Sequence, residues 1–182
     1  MADRVAIARN LQFWHRYPEL LLKDLSPEQL SWQPDNHDSS IIFALWHAYR
    51  AEDDLVLGFV GRRPTVFASQ DWARRLPVSE TGVSPFGNGM SREQIGRIRL
   101  DPAEVLAYAR AVGDGVASYL ASLTDAEAEE EIALPFFKGV YEGVDSVPRS
   151  EAIVFFSIAH VTEHLGEVQF LKGLLGLKGA PL

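Results

Sequence analysis

The apolar residues of this chain fall into long stretches with helical spacing, separated by clusters rich in Pro, Gly and small polar residues. Between Arg4 and Leu25 the positions Val5, Ala8, Leu11 and Leu22 keep that spacing and predict a first helix, with Pro18 requiring a kink or a restart inside it. Ser26-Pro27-Glu28 opens a short turn. The run Asp35 to Ser40 is made of helix-capping residues and predicts a second helix from about Ser40 to Gly58, ended by Gly61-Arg62-Arg63-Pro64. Asp101-Pro102-Ala103-Glu104 has Asp as N-cap, Pro at the first helical position and Glu at the third, so a third helix starts there and runs to about Leu123. A last helix starts near Pro148 and closes at Gly176 after Leu175.

The segments between these helices are less regular. Residues 59–101 hold five glycines and three prolines, and so predict a long connection between the second and third helices. Asp71 to Arg75 predicts a helical turn within it, and Ser91-Arg92-Glu93-Gln94 a capped short helix. The acidic run Asp125 to Glu131 reads as a solvated helix end or loop, and Leu134 to Val147, with Pro135, Gly139 and Gly143, as an irregular crossover. Strand signals are almost absent, so the fold class is all-α: a four-helix bundle in one domain spanning residues 1–182.

Composition removes several functional classes. The net charge of −8 argues against a nucleic-acid surface, which needs clustered Lys and Arg. The apolar runs are too short to span a bilayer, and the first residues are charged where a signal peptide would be apolar, so no membrane partner is expected and the cytoplasm is the default location. The absence of cysteine excludes thiolate ligands and a cysteine nucleophile. No P-loop, dinucleotide fingerprint or nucleophile elbow is present, and Gly87-Asn88-Gly89 lacks the strand context of a phosphate cradle.

Five histidines remain: His15, His37, His47, His160 and His164. His160 and His164 are one turn apart on one helix face, where two imidazoles can grip one metal ion. Ile153, Phe156, His160, His164, Glu167, Leu171 and Leu174 form one stripe whose apolar members must face the core. Ser40, Phe43, Ala44, His47, Ala51 and Asp54 form a second stripe on the second helix, which makes His47 a third candidate ligand. The competing reading is a set of neutral histidines hydrogen-bonded within the core. Three neutral nitrogens suit Zn, Ni or Fe and leave positions for water or substrate. Glu167, one turn beyond His164, is the candidate catalytic group, as an orienting partner, proton acceptor or fourth ligand, against the alternative of a rim carboxylate. Glu163 is expected to face solvent. His15 reads as a surface or interface residue, His37 as part of a local turn, and Trp32 and Trp46 as core or cavity wall. Gly166 inside the last helix would be explained by close approach of another backbone or by room for a ligand.

Leu30-Ser31-Trp32-Gln33-Pro34, then Ser39 to Ile42 and Leu45 to Asp53, resemble the first half of DinB-like proteins, four-helix damage-inducible proteins read as metalloenzymes. His160 to Val168 and Leu171 to Gly176 resemble their second half, and Asp71 to Arg75 with the Gly87–Glu93 loop resembles their helix 2–3 connection. The resemblance covers nearly the whole chain. It implies a bundle of that topology with short helices in the long connection, and a divalent metal, Zn or Ni favoured over Fe, on His47, His160 and His164. Relatives with assigned roles are thiol-dependent transferases or isomerases, so it also implies a small-molecule substrate, a low-molecular-weight thiol as co-substrate, and a homodimer formed through a helix face. Beside that transferase reading stand a metal-dependent hydrolase and a non-catalytic metal-binding stress-response module.

Overall fold

The computed structural model describes residues 4–78, 82–134 and 143–179. Four long helical rods form the bundle: α1 (Arg4–Leu21), α3 (Ile41–Glu52, prolonged by a π-helical stretch Asp53–Val60), α7 (Pro102–Ser122), and a last rod of α9 (Arg149–Val154), a π-helical stretch Phe155–Ala159 and α10 (His160–Leu174). Short helices α2 (Pro27–Ser31), α4 (Val66–Ser69), α5 (Trp72–Arg75), α6 (Arg92–Gly96) and α8 (Asp125–Ala128) occupy the connections. α1 packs on α7 and α10, and α3 packs on the same two helices from the opposite side. No described helix is long and apolar enough to cross a membrane.

Local sequence explains most of the boundaries. Ser40 caps α3 by accepting from the Phe43 amide, and Asp101 caps α7 by accepting from the Ala103 amide. Ser26 and Ser91 each close a capping box with the glutamine three residues on, so α2 and α6 start where the polar pattern places them. Pro18 neither stops nor restarts the first helix: α1 runs through it, and Leu22 still donates to the Pro18 carbonyl at 2.9 Å. The missing amide of Pro18 frees the Trp14 carbonyl, and the buried Tyr49 hydroxyl of α3 donates to that oxygen at 3.0 Å. A break in one helix thereby becomes a tie to another.

Several expectations need correction. α1 ends at Leu21 rather than Leu25, at a turn where Asp24 takes a positive φ of 65°. The acidic run forms the single turn α8, capped by Thr124, and then enters a strand: β1 (Glu131–Ala133) pairs antiparallel with β2 (Ser146–Pro148). The charges of Glu130 and Glu131 obscure that short pairing in the sequence, and Arg149 holds it by an ion pair with Glu130 and a hydrogen bond to the Val60 carbonyl at 2.6 Å. Pro135 and Gly139 of the expected crossover lie outside the described residues.

Every residue of α3 is buried, from Ile41 to Glu52. Such a helix must partner each charge it carries. Glu52 meets His15 at 2.7 Å, and the other His15 nitrogen lies 2.6 Å from the Leu11 carbonyl. His15 is therefore a core residue, not the surface histidine expected, and a Cβ on Gly113 of α7 would come within 2.7 Å of its ring. Asp53 accepts from the Val66 and Phe67 amides and from the Tyr108 hydroxyl, which anchors the start of the long connection. Arg50 pairs with Asp54 at 2.6 Å and stacks 4.2 Å over the Phe67 ring.

Burial opposes a charge on His15, but attraction and hydrogen bonding from Glu52, with help from the Leu11 carbonyl and Asp114, outweigh it and raise its pKa above the ordinary 6.5. The pair thus contributes fully below about pH 6.5, and that contribution is lost as pH rises through the raised folded value. Denaturant titrations should show stability falling as pH rises above about 6.5. Glu52→Gln should lose about 3 kcal/mol at pH 6 and flatten the dependence. Gly113→Ala, which forces the His15 ring aside, should lose about 1–3 kcal/mol.

Candidate functional site

The candidate site lies between α3 and α10. Ser39 and His47 on one side meet Glu167, His164 and His160 on the other, so the two helices run antiparallel. His47 and His164 ring centroids are 4.7 Å apart, His47 and His160 5.8 Å, and His160 and His164 4.6 Å. One nitrogen from each of the three lies within 4.8 Å of the others.

Hydrogen bonds decide which nitrogens face inward. His47 Nδ1 lies 2.6 Å from the Phe86 carbonyl, so it carries the proton and donates, leaving Nε2 as a lone pair. His164 Nδ1 donates in the same way to Glu167 at 2.8 Å, and its Nε2 lies 3.3 Å from His160 Nε2. His160 Nδ1 is buried with no hydrogen-bond partner among the described residues. If His160 Nε2 holds the proton, its Nδ1 is an orphan acceptor; if Nδ1 holds it, an orphan donor results and two lone pairs oppose each other at 3.3 Å. A cation between the two Nε2 atoms relieves the opposition of their lone pairs, and it leaves only the His160 Nδ1 proton without a partner among the described residues. Two nitrogens each 2.0–2.1 Å from one zinc ion subtend the tetrahedral angle when they are about 3.3 Å apart. The donor set therefore fits such an ion.

The electrostatics point the same way. Burial and the neighbouring charges of His164 and His47 push His160 down to about 3, and burial with His164 lowers His47. Both rings are neutral at neutral pH, as ligands must be. Burial would raise Glu167, but hydrogen bonds from His164 and Ser39 and the charges of His164 and His37 hold it below the usual carboxylate value. Glu167 is half-buried and lies 2.8 Å from His164 Nδ1.

His47, His160 and His164 thus come together as the sequence predicts, with Glu167 beside them, and Glu163 is exposed. His37 serves a local turn: its Nδ1 accepts from the Ser39 amide at 3.1 Å. Trp46 is buried in the core and Trp32 is half-buried. The inward stripe of the last helix holds from Ile153 to Leu171 but not at Leu174, which is 49% exposed. Gly166 faces open space, and nothing in the structure explains it.

Sequence reasoning missed two partners. The Ser39 hydroxyl reads as a helix cap and gives no hint of Glu167. The Phe86 carbonyl is a backbone atom without a signature, although Gly87 marks its place. Gly87 has φ 97°, and a Cβ there would sit 2.9 Å from the Trp46 ring and 3.0 Å from Phe43. Only glycine lets this loop close onto α3 and bring the carbonyl to His47.

The fold and site together define an all-helical bundle with a three-histidine cluster between two of its rods. A family model for the DinB superfamily matches residues 11–168, and the chain belongs to that superfamily. Among solved structures, a conserved protein from Enterococcus faecalis is similar over 97% of this chain and 99% of its own, with a TM-score of 0.75 and 17% identity, a likeness of fold. No curated protein matches the chain.

Gly87→Ala should cost about 1–3 kcal/mol in denaturant unfolding and shift the His47 imidazole resonances in NMR, because the loop must retreat. Asn88→Ala, at an exposed position of the same loop, should do neither.

Proposed function

We propose that His47, His160 and His164 bind one divalent metal ion, zinc or nickel in preference to iron, and that the protein is a metal-dependent enzyme activating a small thiol for transfer to an electrophile. The observation that carries the reading is the convergence of three imidazoles, two of them locked with Nε2 inward by the Phe86 carbonyl and by Glu167, with His160 Nε2 3.3 Å from that of His164. When bound, the ion supplies a Lewis acid that lowers the pKa of a thiol or water at an open position.

The chain's own groups have separate tasks. Phe86 and Glu167 hold two rings in the ligating tautomer. Glu167 accepts from His164 Nδ1 at 2.8 Å and so acts through His164 as a positioning residue. The cysteine-free chain supplies no thiol of its own, in keeping with a thiol that arrives as co-substrate.

Metal analysis of tag-free protein should give about one equivalent of divalent metal, and His164→Ala should abolish it; equal, low metal in both would remove the reading. Glu167→Gln should weaken metal affinity about 10- to 100-fold without unfolding the bundle. Metal-loaded protein incubated with a panel of low-molecular-weight thiols and a chromogenic electrophile should turn over, and chelation should stop it. Full metal loading without turnover would overturn the thiol assignment and leave metal-bound water as the nucleophile to assay.

A further inference from the structure

The His47 ring is flanked by two phenylalanines. Phe43 lies 5.7 Å away, nearly parallel at 30°, and is buried under Gly87. Phe86 lies 5.9 Å away with its ring tilted 61° to the imidazole, and is only half-buried. Its backbone is held, because its own carbonyl takes the His47 proton and the next residue is the glycine wedged against Trp46 and Phe43. An aromatic side chain is thus kept beside the three histidines with part of its surface unused. The loop around it, Gly82 to Met90, carries no charged residue, and Glu167 beside the cluster is already engaged by His164 and Ser39. The surroundings favour an apolar, flat group.

We propose that Phe86 forms an aromatic subsite beside the three histidines, so that the molecule bound there carries an aryl group next to its metal-binding atom. This rests on the metal reading above. It adds a specificity-determining residue and names the substrate class. Phe86 plays two parts that one substitution separates: changing the side chain removes the ring but leaves the carbonyl that orients His47.

The test uses cobalt(II)-loaded protein and its visible absorption, titrated with benzohydroxamate and acetohydroxamate, which share a chelating group and differ in phenyl against methyl. Wild type should bind benzohydroxamate more tightly. Phe86→Ala should weaken benzohydroxamate about two- to tenfold, the span expected for one aromatic pair, and leave acetohydroxamate unchanged. Phe86→Leu, which retains apolar bulk and loop packing, should weaken benzohydroxamate as well. Equal affinities for the two probes in wild type, an equal loss of both in Phe86→Ala, full benzohydroxamate affinity in Phe86→Leu, or no binding of either probe to the cobalt protein would each overturn the subsite. Failure of wild type to take up cobalt would instead overturn the metal reading, and this inference with it.

Discussion

A helix surrounded by protein on every side cannot hydrate its polar groups, and α3 is such a helix. Most of its polar residues reach a partner, chiefly on another element, and those partners set much of the bundle's geometry. Glu52 draws His15 of α1 inward beneath Gly113 of α7. Tyr49 takes up the carbonyl that Pro18 leaves free. Asp53 holds the first turn of α4, and Arg50 rests on Phe67 with Asp54 beside it. His47 obeys the same rule, with one nitrogen on the Phe86 carbonyl and the other turned toward His160 and His164. The histidine cluster is one case of a requirement that runs along the whole helix.

How far the sequence shows this depends on whether the signal is local. The caps of α3, α6 and α7 are short patterns with a direct physical cause, and they lie where the residues indicate, whereas the capped α2 read only as a turn. The four rods, the long second connection and the three-histidine cluster were likewise legible, the last because His160 and His164 share a face and because the pattern around His47 resembles a known family. The stripe argument for His47 carried less than it promised, since α3 is buried on every face and no stripe on it marks a preferred side.

What stayed hidden depends on contacts between residues distant in the chain. His15 sits in an aromatic and basic stretch that suggests a surface, and only Glu52, 37 residues away, makes its burial tolerable. The β1–β2 pair is three residues long and begins in an acidic run, so neither alternation nor apolar character reveals it. The Ser39 and Phe86 partners are a capping hydroxyl and a main-chain oxygen, whose roles depend on where α10 and the loop come to rest.

The choice of a main-chain oxygen to orient His47 has an evolutionary consequence. Any amino acid at position 86 presents the same carbonyl, so the orientation of the His47 imidazole does not depend on which side chain stands there. Substitution at that position is then free to change the side chain beside His47, while Gly87 carries the conformational demand. A lineage could exchange the side chain beside the cluster by single substitutions there, each leaving the three histidines oriented as they are.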